Sequence, residues 1–283
     1  MSHLFRTDTS IFKAGDNIFK VNDKLNVIIQ NQGGFGATIE GLRFDPVAAN
    51  TRAAISSGST CRIIDTTTFA LIATISLGGA CIGMAWDSPN NKLYITAGGK
   101  LYETDTTTWA ATDTGLTSGG YNGVALDPNT SNNRFFISGG STLYVIDKAT
   151  YTISATITSG LIGAYGLAFD PLINNRLYIG NYASDYVSVV DTDSLTIIEN
   201  INGFSSPIDI SFDPNPANNR FLVSEYSGGQ VAYVSRGTHG IQKRVNVTNG
   251  PEGISCDPNI INNRFLVASV SLSQYLVVTD ILS

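Results

Sequence analysis

Apolar and polar residues alternate along this chain in short stretches, the pattern of β-strands with one buried face. Arg176-Leu-Tyr-Ile-Gly and Tyr186-Val-Ser-Val-Val-Asp show it plainly, with β-branched and aromatic residues at the apolar positions. No window of about ten residues keeps apolar side chains at i, i+3, i+4 and i+7, so almost no helix is expected. Polar turn sequences separate the strands: Asp-Pro followed by Asn-Asn, and Asp followed closely by Thr. Asp accepts backbone N–H bonds, Pro presets φ and Asn tolerates the left-handed region, so each favours a turn for its own reason.

The turns recur in step. Six segments share one pattern: Gly41-Leu-Arg-Phe-Asp-Pro, Gly83-Met-Ala-Trp-Asp-Ser, Gly123-Val-Ala-Leu-Asp-Pro, Gly166-Leu-Ala-Phe-Asp-Pro, Asp209-Ile-Ser-Phe-Asp-Pro and Gly253-Ile-Ser-Cys-Asp-Pro. Their aspartates, Asp45, Asp87, Asp127, Asp170, Asp213 and Asp257, are spaced by 42, 40, 43, 43 and 44 residues. A basic residue follows each turn (Arg52, Lys92, Arg134, Arg176, Arg220, Arg264), and an apolar-x-apolar-Asp landmark recurs at Asp65, Asp105, Asp147, Asp191 and Asp280, with Ser235 in its place in one unit. One unit reads as strands A (Gly166 to Phe169), B (Arg176 to Ile179), C (Tyr186 to Val190) and D (Thr196 to Ile201). Four strands in about 42 residues make one propeller blade.

The expected fold is therefore an all-β β-propeller, a single domain over residues 1–283. At the N-terminal end Ser10 to Ala14, Asn17 to Asn22 and Leu25 to Asn31 read as strands B, C and D of a further unit, with Leu4 to Thr7 as a shortened strand A. The last unit stops after its C strand. This predicts seven blades, the last lacking its outer strand. The alternative is six, with an N-terminal strand completing the C-terminal blade.

The motif Gly-apolar-x-Phe-Asp-Pro, Asn-Asn-Arg-apolar-Tyr-apolar, Val-x-Val-apolar-Asp-x-x-Thr resembles the YVTN and NHL-like propeller repeats. Gly166 to Ile201 is the cleanest copy, and the likeness extends from Gly41 to Asp280. Where those repeats carry Tyr-Val-Thr-Asn, this chain has Tyr178-Ile-Gly-Asn181. The resemblance implies surface-layer and cell-surface proteins or binding propellers, with lactonases and lyases a minority.

Composition narrows the function. Only 14% of residues are charged, Lys and Arg total 17 without clustering, and the net charge is −6, which disfavours nucleic acid as a partner. No apolar run is long enough for a membrane span or the core of a signal peptide. Cys61, Cys81 and Cys256 lie on separate strands in no CxxC motif and are expected as free thiols. Two histidines, His3 and His239, and no metal-ligand spacing give no catalytic centre, no metal and no cofactor. Carboxylates converging on the axis from different blades, however, would leave no mark in local spacing.

A residue present in every blade belongs first to blade construction, so the Asp-Pro aspartates and following arginines are expected to pair across the A–B turn. A ligand site belongs where blades differ, on the face made by the D–A and B–C loops. The candidates there are Phe35, Tyr121, Tyr165, Phe204 and Glu252 on D–A loops, and Tyr182, Asp185, Glu225 and Tyr226 on B–C loops. Their rings suit a protein or glycan surface, or else cap gaps between blades. The expectation is a non-enzymatic binding module of a virion, tail appendage or cell-surface layer. A lactonase- or lyase-like enzyme or sensor at the axial channel and an intracellular assembly hub are the alternatives. The open edge of the last blade is a further expected docking point, for a partner's strand.

Overall fold

The computed structural model describes residues 10–14, 17–22, 27–32, 38–117, 120–247, 250–270 and 274–280. Five consecutive segments, 42–76, 81–117, 124–157, 164–202 and 207–246, each fold into a four-stranded antiparallel sheet with strands A to D in sequence order. These are blades 1 to 5. Blade 6 takes its first three strands from Pro251–Cys256, Arg264–Ser269 and Gln274–Asp280.

Its outer position is filled from the other end of the chain. Strand β3 (Val27–Gln32) pairs antiparallel with Gln274–Asp280, placing Gln32 opposite Tyr275 and Val27 opposite Asp280. Strands β2 (Asn17–Asn22) and β1 (Ser10–Ala14) continue that sheet outward to six strands. The ring therefore has six blades, and the seven-blade count is corrected to the alternative. The N-terminal strands match the expected spans almost residue for residue, but they extend blade 6 instead of forming a blade. A strand C with unpaired N–H and C=O groups is an open template, and β3 satisfies it. The expected docking of a partner's strand on that edge is corrected for the same reason. Leu4 to Thr7 lie outside the described residues.

Among the described residues six apolar clusters hold the ring, each shared by two neighbouring blades. Leu42, Phe44 and Ile55 of blade 1 meet Leu266, Tyr275 and Val277 of blade 6, so the closing seam is packed like the others. Cys61 and Cys81 are free thiols buried at the seam of blades 1 and 2. Among the described residues no helix is long and apolar enough to cross a membrane.

The repeated polar residues are turn and seam hardware. Asp45 accepts the Val47 N–H at 2.9 Å and the Arg52 Nε at 2.7 Å, and Asp127–Arg134, Asp213–Arg220 and Asp257–Arg264 repeat the pairing at 2.6–2.7 Å. In blades 2 and 4 the carboxylate is instead held from the next blade, Asp87 by Lys148 at 2.5 Å and Asp170 by Arg236. The asparagine or threonine before strand B takes left-handed φ at Thr51, Asn91, Asn133, Asn219 and Asn263. At the C–D turns Asp65, Asp105, Asp147 and Asp191 each accept two backbone N–H bonds, the Asx geometry the sequence implied. Bonds from Thr107 and Thr108 hold the exposed Asp105 carboxyl down to about 2.

Candidate functional site

Strand A of every blade faces the axis, and a glycine at its waist position in five of the six lets the backbones crowd together. A Cβ at Gly41 would lie 1.8 Å from the Ile82 carbonyl oxygen, and one at Gly123 would lie 2.3 Å from that of Tyr165. No side chain fits there without moving backbone. Hydroxyls on strand B bind this waist together: Thr96, Ser138 and Ser224 accept the N–H of their own blade's Gly83, Gly123 or Asp209. They donate to the carbonyl oxygens of Asn122, Tyr165 and Glu252 in the next blade.

One blade departs from glycine. Asp209 stands at the waist position of blade 5 and sends its carboxylate into the channel. Two residues further along strand A, where other blades carry Ala or Ser, blade 1 carries Arg43. Arg43 Nη1 and Nη2 meet the two Asp209 oxygens at 2.5 and 2.7 Å, and Nη1 also donates to the carbonyls of Leu42 and Ile254 at 2.9 Å. Burial opposes the guanidinium charge, but the charge and hydrogen bonds of Asp209 outweigh it and raise its pKa. The pair plugs the channel, leaving a cavity of about 20 Å³ at the waist. That is room for one water.

Above the plug, on the D–A side, the residues before the waist position include Glu40, Tyr165 and Glu252 from blades 1, 4 and 6. The Tyr165 hydroxyl lies near Glu40 and lowers its carboxyl's pKa, though burial has the larger, opposite effect. Glu252 is 8% exposed and its Oε2 has no hydrogen-bond partner. Burial, with the charges of Glu40 and Asp209, pushes the Glu252 carboxyl up to about 8, and burial also raises Glu40. Tyr165 is raised by burial and by the charges of Glu252, Glu40 and Asp209. A carboxyl whose folded pKa exceeds its unfolded value holds a proton on folding, so stability falls as pH rises from about 4.5 to 8 and then levels. The melting temperature should therefore drop by on the order of 5–10 °C between pH 5 and 9. In Glu252→Gln that slope should largely vanish in a calorimetric pH series; an unchanged slope would contradict the assignment.

The other sequence candidates are scattered. Tyr121 (against Tyr144) and Phe204 are core residues, and Glu225 is buried in an ion pair with Arg244 at 2.7 Å while accepting the Ser205 N–H. None of the three presents a surface to a ligand. Tyr182 and Tyr226 meet edge to face at 5.3 Å on the B–C rim, beside the exposed Asp185. Tyr165 and Glu252 alone of the set reach the axis, and Phe35 lies outside the described residues. Arg43, Asp209 and Glu40 were missed, although the first two break the repeat at its waist.

Below the plug the channel opens on the A–B face into a funnel of about 360 Å³. Phe44, Trp86, Leu126, Phe169 and Phe212 wall it, Pro46, Pro171 and Pro214 line its mouth, and Arg43 is among its lining residues. The A–B turns on this face expose Val47, Leu172, Ile173, Ile260 and Ile261, with Leu172 at 69% and Ile261 at 88%. The sequence candidates lie on the loops of the opposite face. The funnel is walled by the repeat's own aromatic position, which reads as construction when taken blade by blade.

Six sheets about a plugged axis define a β-propeller. No family model matches the chain, and no curated protein does. Among solved structures it is similar to the β-propeller domain of Cps50 (Swd1) from Myceliophteria thermophila. The TM-score is 0.63 at 12% identity, covering 85% of this chain and 96% of that one. Matches of this kind extend to 1488 solved chains, a breadth that marks a fold and no single activity.

Proposed function

We propose that this chain is a non-catalytic binding propeller that takes up an apolar segment of a protein partner on its A–B face. The observation that carries the reading is the funnel together with the exposed apolar side chains of the A–B turns around it. A volume of about 360 Å³ falls in the range of pockets that bury one anchoring group, and interfaces concentrate their energy on such anchors. The carboxylates of these turns are paired with Arg or Lys, so the rim favours apolar contact over charge. Low charge overall and the likeness to YVTN-type repeats support a place in a surface-exposed assembly, such as a particle or cell-surface layer.

A random peptide display library selected on the wild-type protein tests this. Enriched peptides should carry an aromatic or branched aliphatic anchor. They should bind Leu172→Glu/Ile261→Glu at least about 10-fold more weakly, with the melting temperature unchanged because both side chains are exposed. Peptides indifferent to those substitutions would sink the reading. So would binding confined to glycans at Tyr182 and Tyr226, the outcome that favours a sugar surface.

A further inference from the structure

We propose that the D–A mouth of the axial channel is a receptor for one organic cation, a primary ammonium or guanidinium group at the end of a longer chain. Glu40, Asp209 and Arg43, the cation among them, line one cavity, and Glu252 stands beside them: the next two residues donate their N–H groups to the Glu40 carbonyl at 2.8 Å and to Asp209 Oδ2 at 2.9 Å. Arg43 is already committed to both oxygens of Asp209 and to two backbone carbonyls. The D–A loops cannot supply another: residues 33–40, 77–82, 115–122, 159–165, 203–208 and 248–252 contain no Lys or Arg.

Glu252 is the second, independent sign of a guest. It is more than nine-tenths buried, yet Oε2 faces no donor, and an unpaired buried oxygen is costly. An N–H-bearing cation would satisfy that oxygen and share its charge with Glu40, which Tyr165 approaches from across the ring. Among the described residues no three acidic, His or Cys groups are arranged to hold a metal ion. An ammonium needs only two or three acceptors, whereas a metal demands a full oxygen shell. The waist below leaves about 20 Å³, so a chain bound by its end group cannot thread past the plug.

Titration calorimetry with butylamine and agmatine, with potassium and calcium ions as controls, tests the proposal. Wild type should bind both amines and, at pH 7, release about one proton per cation, read from two buffers of different ionisation enthalpy. Glu252→Gln should weaken binding at least about 10-fold and abolish proton release; Glu40→Gln serves as the second variant should the first not fold. Leu172→Glu/Ile261→Glu should bind amines like wild type, which separates this site from the A–B face. Absence of amine binding, equal binding by the glutamine variants, or binding of calcium alone would each overturn it.

Discussion

Asp209→Gly alone should lower the unfolding free energy by about 3–5 kcal/mol, and adding Arg43→Ala should restore most of that loss. The single substitution leaves a guanidinium in the waist with only the Leu42 and Ile254 carbonyls for partners. Its buried charge is then uncompensated. The double substitution restores the repeat at both departures, with glycine at the waist of blade 5 and alanine two residues past the waist of blade 1. A residual deficit of about 1 kcal/mol is expected, because the Ile254 N–H loses its bond to Asp209 at 2.9 Å. Denaturant midpoints for the four corners of the cycle measure the coupling. Additive losses would show that the two side chains do not depend on each other.

Deleting residues 1–37 should abolish cooperative unfolding of the ring, the largest effect expected of any change here. The deletion strips the outer strand from blade 6 and exposes the six-residue ladder between β3 and Gln274–Asp280, an edge that invites aggregation. A circular permutant beginning at Thr38, with residue 283 joined to residue 1 through a short flexible linker, keeps every strand pair. It should elute as wild type does and melt within a few degrees of it. Ile29→Pro in the full chain offers an intermediate case, since proline removes a ladder donor from a strand paired on both sides. Size-exclusion chromatography and circular dichroism read all three. A truncated protein that stays monomeric with an unchanged melt would contradict closure by β3.

The blades were legible because the repeat spells out its own turns: Asp-Pro, Asn-Asn and Asp-x-x-Thr each stand where local bonds make the chain reverse. Blade number was not, because β1 to β3 carry strand periodicity but no landmark saying which sheet they join. That choice was made by the unpaired strand at the far end of the chain, a relation no local pattern records. The waist pair was visible as two departures from consensus, Asp209 and Arg43. Their meeting depends on blades 1 and 5 facing one another across blade 6, which spacing along the chain does not convey. Tyr121 and Phe204 take the second course the sequence allowed, filling gaps in the core, for a related reason: an aromatic in a loop sequence can fold back beneath the loop, and burial decides which.

Closure by β3 also sets an order of events during synthesis. The chain is extended at about 5–20 residues per second, so tens of seconds separate the emergence of Val27–Gln32 from that of its partner Gln274–Asp280. Blades 1 to 5 can assemble in turn as they leave the ribosome, each next to a finished neighbour. Val27–Gln32 must meanwhile wait, solvated and without its final sheet, until Gln274–Asp280 has emerged. Substitutions in residues 10–32 should therefore alter the yield of newly made protein more than the endurance of molecules already closed.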